Sequence, residues 1–277
     1  MNKVISLLCS SKSSLLGVSV FVLSSVSSHA VTVNLTFTGA SGTINNAIYQ
    51  QINPQSTGTG VIDSFVQINP IANPTTERAY NTTVNNVLDN QSADNFNHSI
   101  TLSQVPVVSI SGTEYRQFLL DINENNNAAL DQYLSLDDVQ IFLGTTANPS
   151  STTFDASGEL TGVGSLVYRM DANVDSVVGL NYALNTGSGS GDMFLYVPNS
   201  VFTGAGTIVT LYSAFGGLGI LAAPADGLPA GNYGASDGFE EWAVLTASTA
   251  VPDGGATVVL LGGSFVAMAL LRRRIFG

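Results

Sequence analysis

The fold is decided by the stretch Val31-Thr32-Val33-Asn34-Leu35-Thr36-Phe37, in which apolar and polar side chains alternate without interruption. A period of two residues predicts a β-strand with one buried face. From this stretch to about Ala250, no convincing segment repeats its apolar residues with the 3.6-residue period of a helix. The central part of the chain is therefore predicted to be built from strands.

Short runs of β-branched and aromatic residues continue along the chain, separated by clusters of Gly, Asn, Pro, Ser and Thr. They predict nine further strands: Gly60–Ile68, Ser99–Ile110, Tyr115–Ile122, Leu134–Leu143, Ser165–Met170, Ser176–Leu180, Met193–Val197, Thr207–Phe215 and Glu240–Leu245. Residues 40–60 and 216–236 are polar or rich in Gly and Pro, and are predicted as loops. Ten strands at this spacing predict one all-β domain at residues 31–250, an antiparallel β-sandwich of jelly-roll-like type.

Charge divides the 277 residues into three segments. The chain has 8 Lys and Arg, 20 Asp and Glu, and a mean hydropathy of +0.27. Its basic residues concentrate at the two ends, so three arginines face all twenty acids between Val31 and Asp253, a net charge of −17. This acidic domain excludes a nucleic-acid binder, which needs a basic face. A single Cys excludes a disulfide scaffold.

Residues 1–30 have the features of a secretory signal peptide. Lys3 and Lys12 precede an apolar stretch from Leu15 to Val26, and Ser28-His29-Ala30 is a small-x-small cleavage site. We therefore expect export through the Sec translocation machinery. Removal of this segment would leave a mature protein with no Cys and a single His, His98.

The C-terminal segment, residues 251–277, has three parts in order. Val251-Pro252-Asp253-Gly254-Gly255 is followed by the uncharged stretch Ala256 to Leu271, and then by Arg272-Arg273-Arg274. Sixteen residues in a helix span about 24 Å, which predicts a short transmembrane helix. Arginines resist translocation, so the Arg cluster would act as a membrane stop and leave the domain outside.

This three-part tail resembles the PEP-CTERM class of bacterial sorting signals, and in particular its VPDSG-CTERM variant, with Gly254 in place of Ser. The resemblance implies recognition by an exosortase, a membrane-embedded cysteine-type processing enzyme. It further implies cleavage near Pro252-Asp253, followed by attachment to the cell surface or release into an exopolysaccharide-rich matrix. It implies nothing about the chemistry of the domain that is sorted.

The segment from Asp121 to Asn127 is the richest in candidate metal ligands. Oxygen-bearing side chains at 121, 123, 125 and 127 follow the spacing of an EF-hand loop, but Asn126 and Gln132 stand where such a loop needs Gly and Glu. A looser Ca²⁺ site between two strands is one interpretation, with Asp121, Asn123, Asn125 and Asp131 as ligands. A solvated acidic hairpin loop is the other.

Other chemical motifs carry little weight. Gly234-Ala235-Ser236-Asp237-Gly238 matches G-x-S-x-G, but no His follows it and a Gly/Pro-rich loop precedes it. Trp242 beside Ala243-Val244-Leu245 favours a place in the core over a sugar-stacking platform.

We expect an exported, exosortase-processed protein of the cell surface, extracellular matrix or biofilm that is not an enzyme. The alternatives are a Ca²⁺-dependent carbohydrate-binding module acting on exopolysaccharide and, third, an extracellular glycan hydrolase.

Overall fold

The computed structural model describes residues 31–52, 62–68, 75–90, 96–125, 130–187, 189–236 and 238–245. The predicted signal peptide and the C-terminal sorting segment lie outside these ranges. Within them the chain forms sixteen strands and three short 3₁₀ turns, so the prediction of a β-rich domain is confirmed.

The strands are β1 Val31–Asn34, β2 Ser41–Ile44, β3 Ala47–Gln51, β4 Ile62–Ile68, β5 Glu77–Tyr80, β6 Ile100–Thr101, β7 Val107–Ile110, β8 Thr113–Asp121, β9 Tyr133–Gly144, β10 Ser165–Arg169, β11 Ser176–Asn181, β12 Met193–Pro198, β13 Ile208–Phe215, β14 Ile220–Leu221, β15 Gly231–Asn232 and β16 Glu240–Leu245. The 3₁₀ turns are Leu102–Gln104, Tyr182–Leu184 and Asn199–Val201.

Two seven-stranded sheets organise the domain. The first has the order β1-β11-β9-β13-β5, with β10 also paired to β9 and β6 to β13. The second has the order β2-β3-β12-β8-β16-β4, with β7 also paired to β8. Strands β14 and β15 form a separate small hairpin. Pairing is antiparallel except at the edge of the first sheet, where β1 runs parallel to β11 with Val31 opposite Ser176. These two strands are remote in sequence, so no tight turn forces them to be antiparallel.

One hydrophobic core is shared by the two sheets. The second sheet contributes alternate residues of β8, among them Phe118 and Leu120, and the first contributes Leu134 and Leu136 of β9. Trp242 on β16 is fully buried in the same core, and its Nε1 donates a hydrogen bond to Ser213 Oγ at 2.9 Å. The core position expected for this tryptophan is therefore confirmed.

The residues of β9 that point into the core change from even-numbered to odd-numbered positions in the middle of the strand. Leu134 and Leu136 are buried before the acidic pair Asp137-Asp138, and Val139 and Ile141 are buried after it. The register against β13 explains the change, because Ala214 lies opposite Asp138 and Phe215 lies opposite Leu136. Asp137 is thus the extra residue of a β-bulge.

The two segments predicted as loops contain strands, so that prediction is wrong in part. Residues 41–51 form the β2–β3 hairpin, closed by Asn45 and Asn46, which have φ of 48° and 66°. Positive φ at both central residues is the requirement of a type I′ turn, which matches the twist of the flanking strands. Residues 216–236 contain the β14–β15 hairpin.

The predicted strand Ser99–Ile110 is interrupted. It divides into β6, the 3₁₀ turn Leu102–Gln104 and β7. Pro106 lies at the break and has no N–H to donate to a ladder. A strand that sequence patterning missed is β5, where Ala79 and Tyr80 are both buried.

Candidate functional site

Asp121 ends β8 on the face of the strand opposite to Leu120, and its side chain is only 3% exposed. Its Oδ2 accepts a hydrogen bond from the backbone N–H of Gly189 at 2.5 Å. Burial raises the pKa of this carboxyl group, and the N–H groups of Gly189 and Gly191 offset part of the increase. A buried carboxylate is thus held at the end of a central strand by a loop from elsewhere in the chain.

Asp192 lies beside Asp121 across the β8–β12 pair. Met193 is opposite Leu120, and the N–H of Asp192 donates to the Leu120 carbonyl at 2.7 Å. The Asp192 side chain is 4% exposed, and its Oδ2 accepts from the N–H of Ile122 at 2.8 Å. Burial raises its pKa well above the ordinary value, and the charge of Asp121 raises it further.

Each of these two carboxyl groups has one oxygen paired and one oxygen without a partner. Oδ1 of Asp121 and Oδ1 of Asp192 are both buried and have no hydrogen-bond partner. A buried acceptor that lacks a partner costs about 1–3 kcal/mol, and more when it is charged. The pair is therefore a place where a ligand with positive charge would lower the free energy.

Two glycines of the segment before β12, Gly189 and Gly191, donate their N–H groups to the Asp121 carboxylate. Gly187, Gly189 and Gly191 have φ of +110°, +86° and +66°. Residues other than glycine rarely adopt this backbone conformation. A Cβ at Gly191 would also lie 2.7 Å from Leu119 Cδ1, so the leucine side chain would have to move to admit one. Asn185 fixes the segment by donating from Nδ2 to the Gly191 carbonyl at 3.1 Å.

The four predicted calcium ligands take separate partners in the structure. The N–H of Asn125 donates to Ser236 Oγ at 3.3 Å, and Oδ1 of Asp131 accepts from Asn232 Nδ2 at 3.5 Å. The carbonyl of Asn123 packs against Gly238, where a Cβ would lie 2.3 Å from that oxygen. Among the described residues, no group of three or more His, Cys, Asp or Glu could hold a metal ion. Calcium binding at Asp121, Asn123, Asn125 and Asp131 stays a prediction.

Sequence reasoning did not find Asp192, which lies far from Asp121 in the chain. The available signal was the run Gly187-Ser188-Gly189-Ser190-Gly191-Asp192, in which alternating glycines end on an acid just before a strand. Strand pairing brings this acid beside Asp121, and a single sequence does not specify which strands pair.

The G-x-S-x-G segment takes part in a hydrogen-bonded turn. Ser236 donates from its hydroxyl to Glu124 Oε2 at 2.6 Å, and its N–H donates to the same oxygen at 2.9 Å. It lies between β15 and β16, with no described helix after it. The backbone of His98 contacts Phe65 instead. These contacts are those of a loop anchor and differ from the strand–nucleophile–helix arrangement of a hydrolase elbow.

A second acidic feature is an open cleft at the edge of the first sheet. Asp137, Asp175 and Asp226 line a cavity of about 380 Å³ together with Thr32 and Ser176. Asp226 also lines an adjoining cavity with Asn34 and Thr36. Burial raises the pKa of Asp137 to about 6 and the charge of Asp175 adds to the increase, whereas the N–H of Gly217, 2.5 Å from Oδ2, opposes it.

The Asp137 carboxylate in this cleft is held by hydrogen bonds within the protein. The Asp137 carboxylate at the β9 bulge is held by the Gly217 N–H and by Ser135 and Leu218, so it anchors the turn that follows β13. Glycosidases need two carboxyl groups facing each other across a scissile bond. A carboxylate that is already engaged by a turn is suited to holding the cleft in shape.

The tail places the chain among proteins that carry a PEP-CTERM-like, exosortase-sorting C-terminal signal. The particular signal is the VPDSG-CTERM motif, whose family model matches residues 250–275 and so confirms the resemblance predicted from Val251 to Gly255 and the Arg cluster. The motif implies an exported, membrane-associated protein processed by an exosortase-type enzyme. Comparison with curated proteins and with solved structures finds no match. Among the described residues, no helix has the length and apolar character needed to cross a membrane.

Proposed function

We propose that the protein is a non-catalytic component of the cell surface or extracellular matrix. The segment 1–30 would direct export through the Sec machinery, and the predicted helix at 256–271 would hold the chain in the membrane. Exosortase would then cut near Pro252-Asp253 and leave a β-sandwich of jelly-roll-like type outside the cell. The observation that carries the proposal is the VPDSG-CTERM match at residues 250–275, only a few residues beyond β16.

The contacts of the acidic side chains support a non-catalytic role. Glu124 binds the Ser236 turn and Asp137 binds the Gly217 turn. In addition, the N–H of Ser176 donates to Asp171 Oδ1 at 2.9 Å. These carboxylates hold loops in place, as expected for a domain whose work is to present a stable surface.

Sorting is tested by expressing two variants in a host that has an exosortase. Deletion of residues 251–277 removes the whole signal, and we expect the domain in the culture medium as a soluble form. The matched control is Asp253→Ala, which alters the cleavage motif but keeps the apolar stretch and the Arg cluster. This variant should stay in the membrane fraction at its uncleaved mass. Retention of the deletion variant in the envelope, like the full-length chain, would show that the tail is not the tether.

Glycan binding in the cleft of Asp137, Asp175 and Asp226 is the second candidate. The cleft presents the carboxyl groups of Asp137, Asp175 and Asp226, and the cavity that adjoins it adds Asn34 and Thr36. Hydroxyl, amide and carboxylate groups are suited to hydrogen bonding with sugar hydroxyls. Pull-down with exopolysaccharide, with and without EDTA, tests this function. Absence of binding under both conditions would exclude it, and release of reducing sugar would instead favour the hydrolase.

A further inference from the structure

Asp121 and Asp192 form a buried pair of acids whose charge the chain itself does not balance. Between Val31 and Asp253 there is no Lys, and the three arginines bind elsewhere. Arg78 lies over the Phe154 ring at 5.1 Å, Arg116 donates to the Leu102 and Val105 carbonyls, and Arg169 donates to the Ser157 carbonyl. Compensating positive charge must therefore come from solution.

A proton and a metal cation are the two ways to neutralise this pair. A proton shared between the two groups would leave one negative charge buried, and Oδ1 of each aspartate has no hydrogen-bond partner within the protein. A cation coordinated by both Oδ1 atoms would neutralise the charge and give each oxygen a partner. The remaining Oδ2 atoms are already oriented by the N–H groups of Gly189 and Ile122.

The donor chemistry selects the class of cation. Only oxygen ligands are present, because the mature chain has no Cys and its single His, His98, contacts Phe65 and Asn81 through its backbone. Soft metals prefer sulfur and nitrogen. Mg²⁺ keeps several waters and gives them up reluctantly, whereas Ca²⁺ accepts six to eight oxygen ligands in a flexible arrangement. A site that is almost closed to solvent therefore favours Ca²⁺.

We propose that Asp121 and Asp192 together bind one Ca²⁺ ion beside Gly189 and Gly191. Backbone carbonyl, amide or water oxygens complete the coordination. The ion joins the end of β8 to the segment that leads into β12, so it ties two neighbouring strands of the second sheet together. This site shares Asp121 with the ligand set predicted from sequence, but its second carboxylate is Asp192 in place of Asp131.

The test is a calcium titration of the full chain, purified in mild detergent and freed of metal with EGTA. Thermal unfolding is followed while CaCl₂ is raised to 10 mM, and a parallel titration uses MgCl₂. Binding to the native state raises the unfolding temperature by mass action. We expect a rise of several degrees with Ca²⁺, at least a tenfold higher Mg²⁺ concentration for the same rise, and one bound Ca²⁺ per chain by equilibrium dialysis.

Two variants locate the ion. Asp192→Asn keeps an oxygen for the Ile122 N–H but removes the charge, so it should weaken Ca²⁺ binding at least tenfold. In EGTA, this variant should unfold at the same or a higher temperature than the unaltered chain, because one buried charge is removed. Asp131→Asn is the matched control and should bind Ca²⁺ as the unaltered chain does. If Asp192→Asn does not fold, Asp121→Asn serves in its place.

Two results would overturn the proposal. One is the absence of bound Ca²⁺ at 10 mM in the unaltered chain. The other is binding that survives both Asp192→Asn and Asp121→Asn. Neither result bears on sorting, because the tail variants described above are scored by location and mass.

Discussion

Glu240 is an acidic side chain at a buried position, where an apolar side chain would be expected. It begins β16 opposite Ile68, two residues before the buried Trp242, and its side chain is 1% exposed. Burial raises its pKa to about 8 and the neighbouring charge of Glu241 adds to the increase, while the N–H groups of Asn123 and of Glu240 itself oppose it. At neutral pH this side chain is therefore mostly protonated in the folded chain.

This protonation makes stability depend on pH in a defined direction. An unfolded glutamate releases its proton near pH 4.3, whereas folded Glu240 keeps its proton to about pH 8. The native state thus binds more protons in that window, and the free energy of unfolding falls as pH rises, by up to about 1.4 kcal/mol per pH unit. Asp137 and Asp171, whose pKa values are raised to about 6 and about 7, add to the decline at lower pH.

Glu240→Gln should flatten the decline between pH 7 and 8, because glutamine has a similar shape and no charge to gain. Urea unfolding at pH 6, 7 and 8 measures the free energies. Glu114→Gln, the same replacement at an exposed glutamate, is the matched control. An equal slope in Glu240→Gln and in the unaltered chain would contradict protonation of Glu240 in the folded state.

At the scale of the element, the β2–β3 hairpin depends on two asparagines that play different parts. Both have positive φ. The side chain of Asn45 also donates from Nδ2 to the carbonyls of Arg169 at 2.9 Å and Met170 at 2.7 Å, across the domain. The described contacts include no such side-chain hydrogen bond from Asn46, so Asn46 contributes to the turn through its backbone conformation.

Asn46→Gly should stabilise the domain by about 0.5–1 kcal/mol, because glycine adopts positive φ without steric cost and Asn-Gly is the preferred type I′ pair. Asn45→Gly at the neighbouring position should destabilise it by about 1–2 kcal/mol, since two side-chain hydrogen bonds to backbone carbonyls are lost. Thermal or urea unfolding of the two variants measures the difference. If the two replacements changed the free energy of unfolding by the same sign and amount, the two asparagines would not have different roles in the turn.

The elements that the sequence predicts well are those whose pattern is local. The alternation in Val31–Phe37 and the β-branched runs of Tyr115–Ile122 and Leu134–Leu143 correspond to β1, β8 and β9. The β2–β3 hairpin was missed because Ser41-Gly42-Thr43 resembles a loop in composition, although Asn45-Asn46 was a usable turn signal. The doubled acid Asp137-Asp138 likewise marks the bulge at which the core-facing positions of β9 shift by one residue.

What could not be predicted depends on which strands become neighbours. Asp121 and Asp192 lie together only because β12 pairs with β8, and the parallel β1–β11 edge joins two remote segments. Local propensity does not contain this information, since long-range pairing is chosen by the packing of the whole core. Of the two carboxylates in the proposed calcium site, the sequence therefore predicted Asp121 but not Asp192.

At the scale of the whole molecule, the folded part and the sorting signal are joined by a short connection. β16 ends at Leu245, and the Val251-Pro252-Asp253 motif begins six residues later. Six residues of extended chain span at most about 22 Å. Cleavage at this motif would therefore take place close to the last strand of the domain.

The final strand and the tail should therefore contribute very differently to stability. β16 lies between β8 and β4 in the second sheet and carries Trp242 and Val244 into the core. Deleting residues 240–277 removes these side chains and leaves the ladders of two strands open. Loss of a single large core side chain costs about 3–5 kcal/mol, which is comparable with the whole stability of many domains.

We expect a chain ending at Ala250 to unfold cooperatively, with a free energy of unfolding within about 0.5 kcal/mol of the full chain, because no described strand is removed. A chain ending at Phe239 should lack a cooperative transition and expose its tyrosines and phenylalanines to solvent. Circular dichroism in the near ultraviolet, together with urea unfolding, separates the two forms. A cooperative transition in the chain that ends at Phe239 would contradict this expectation, because it would mean that the domain folds without β16.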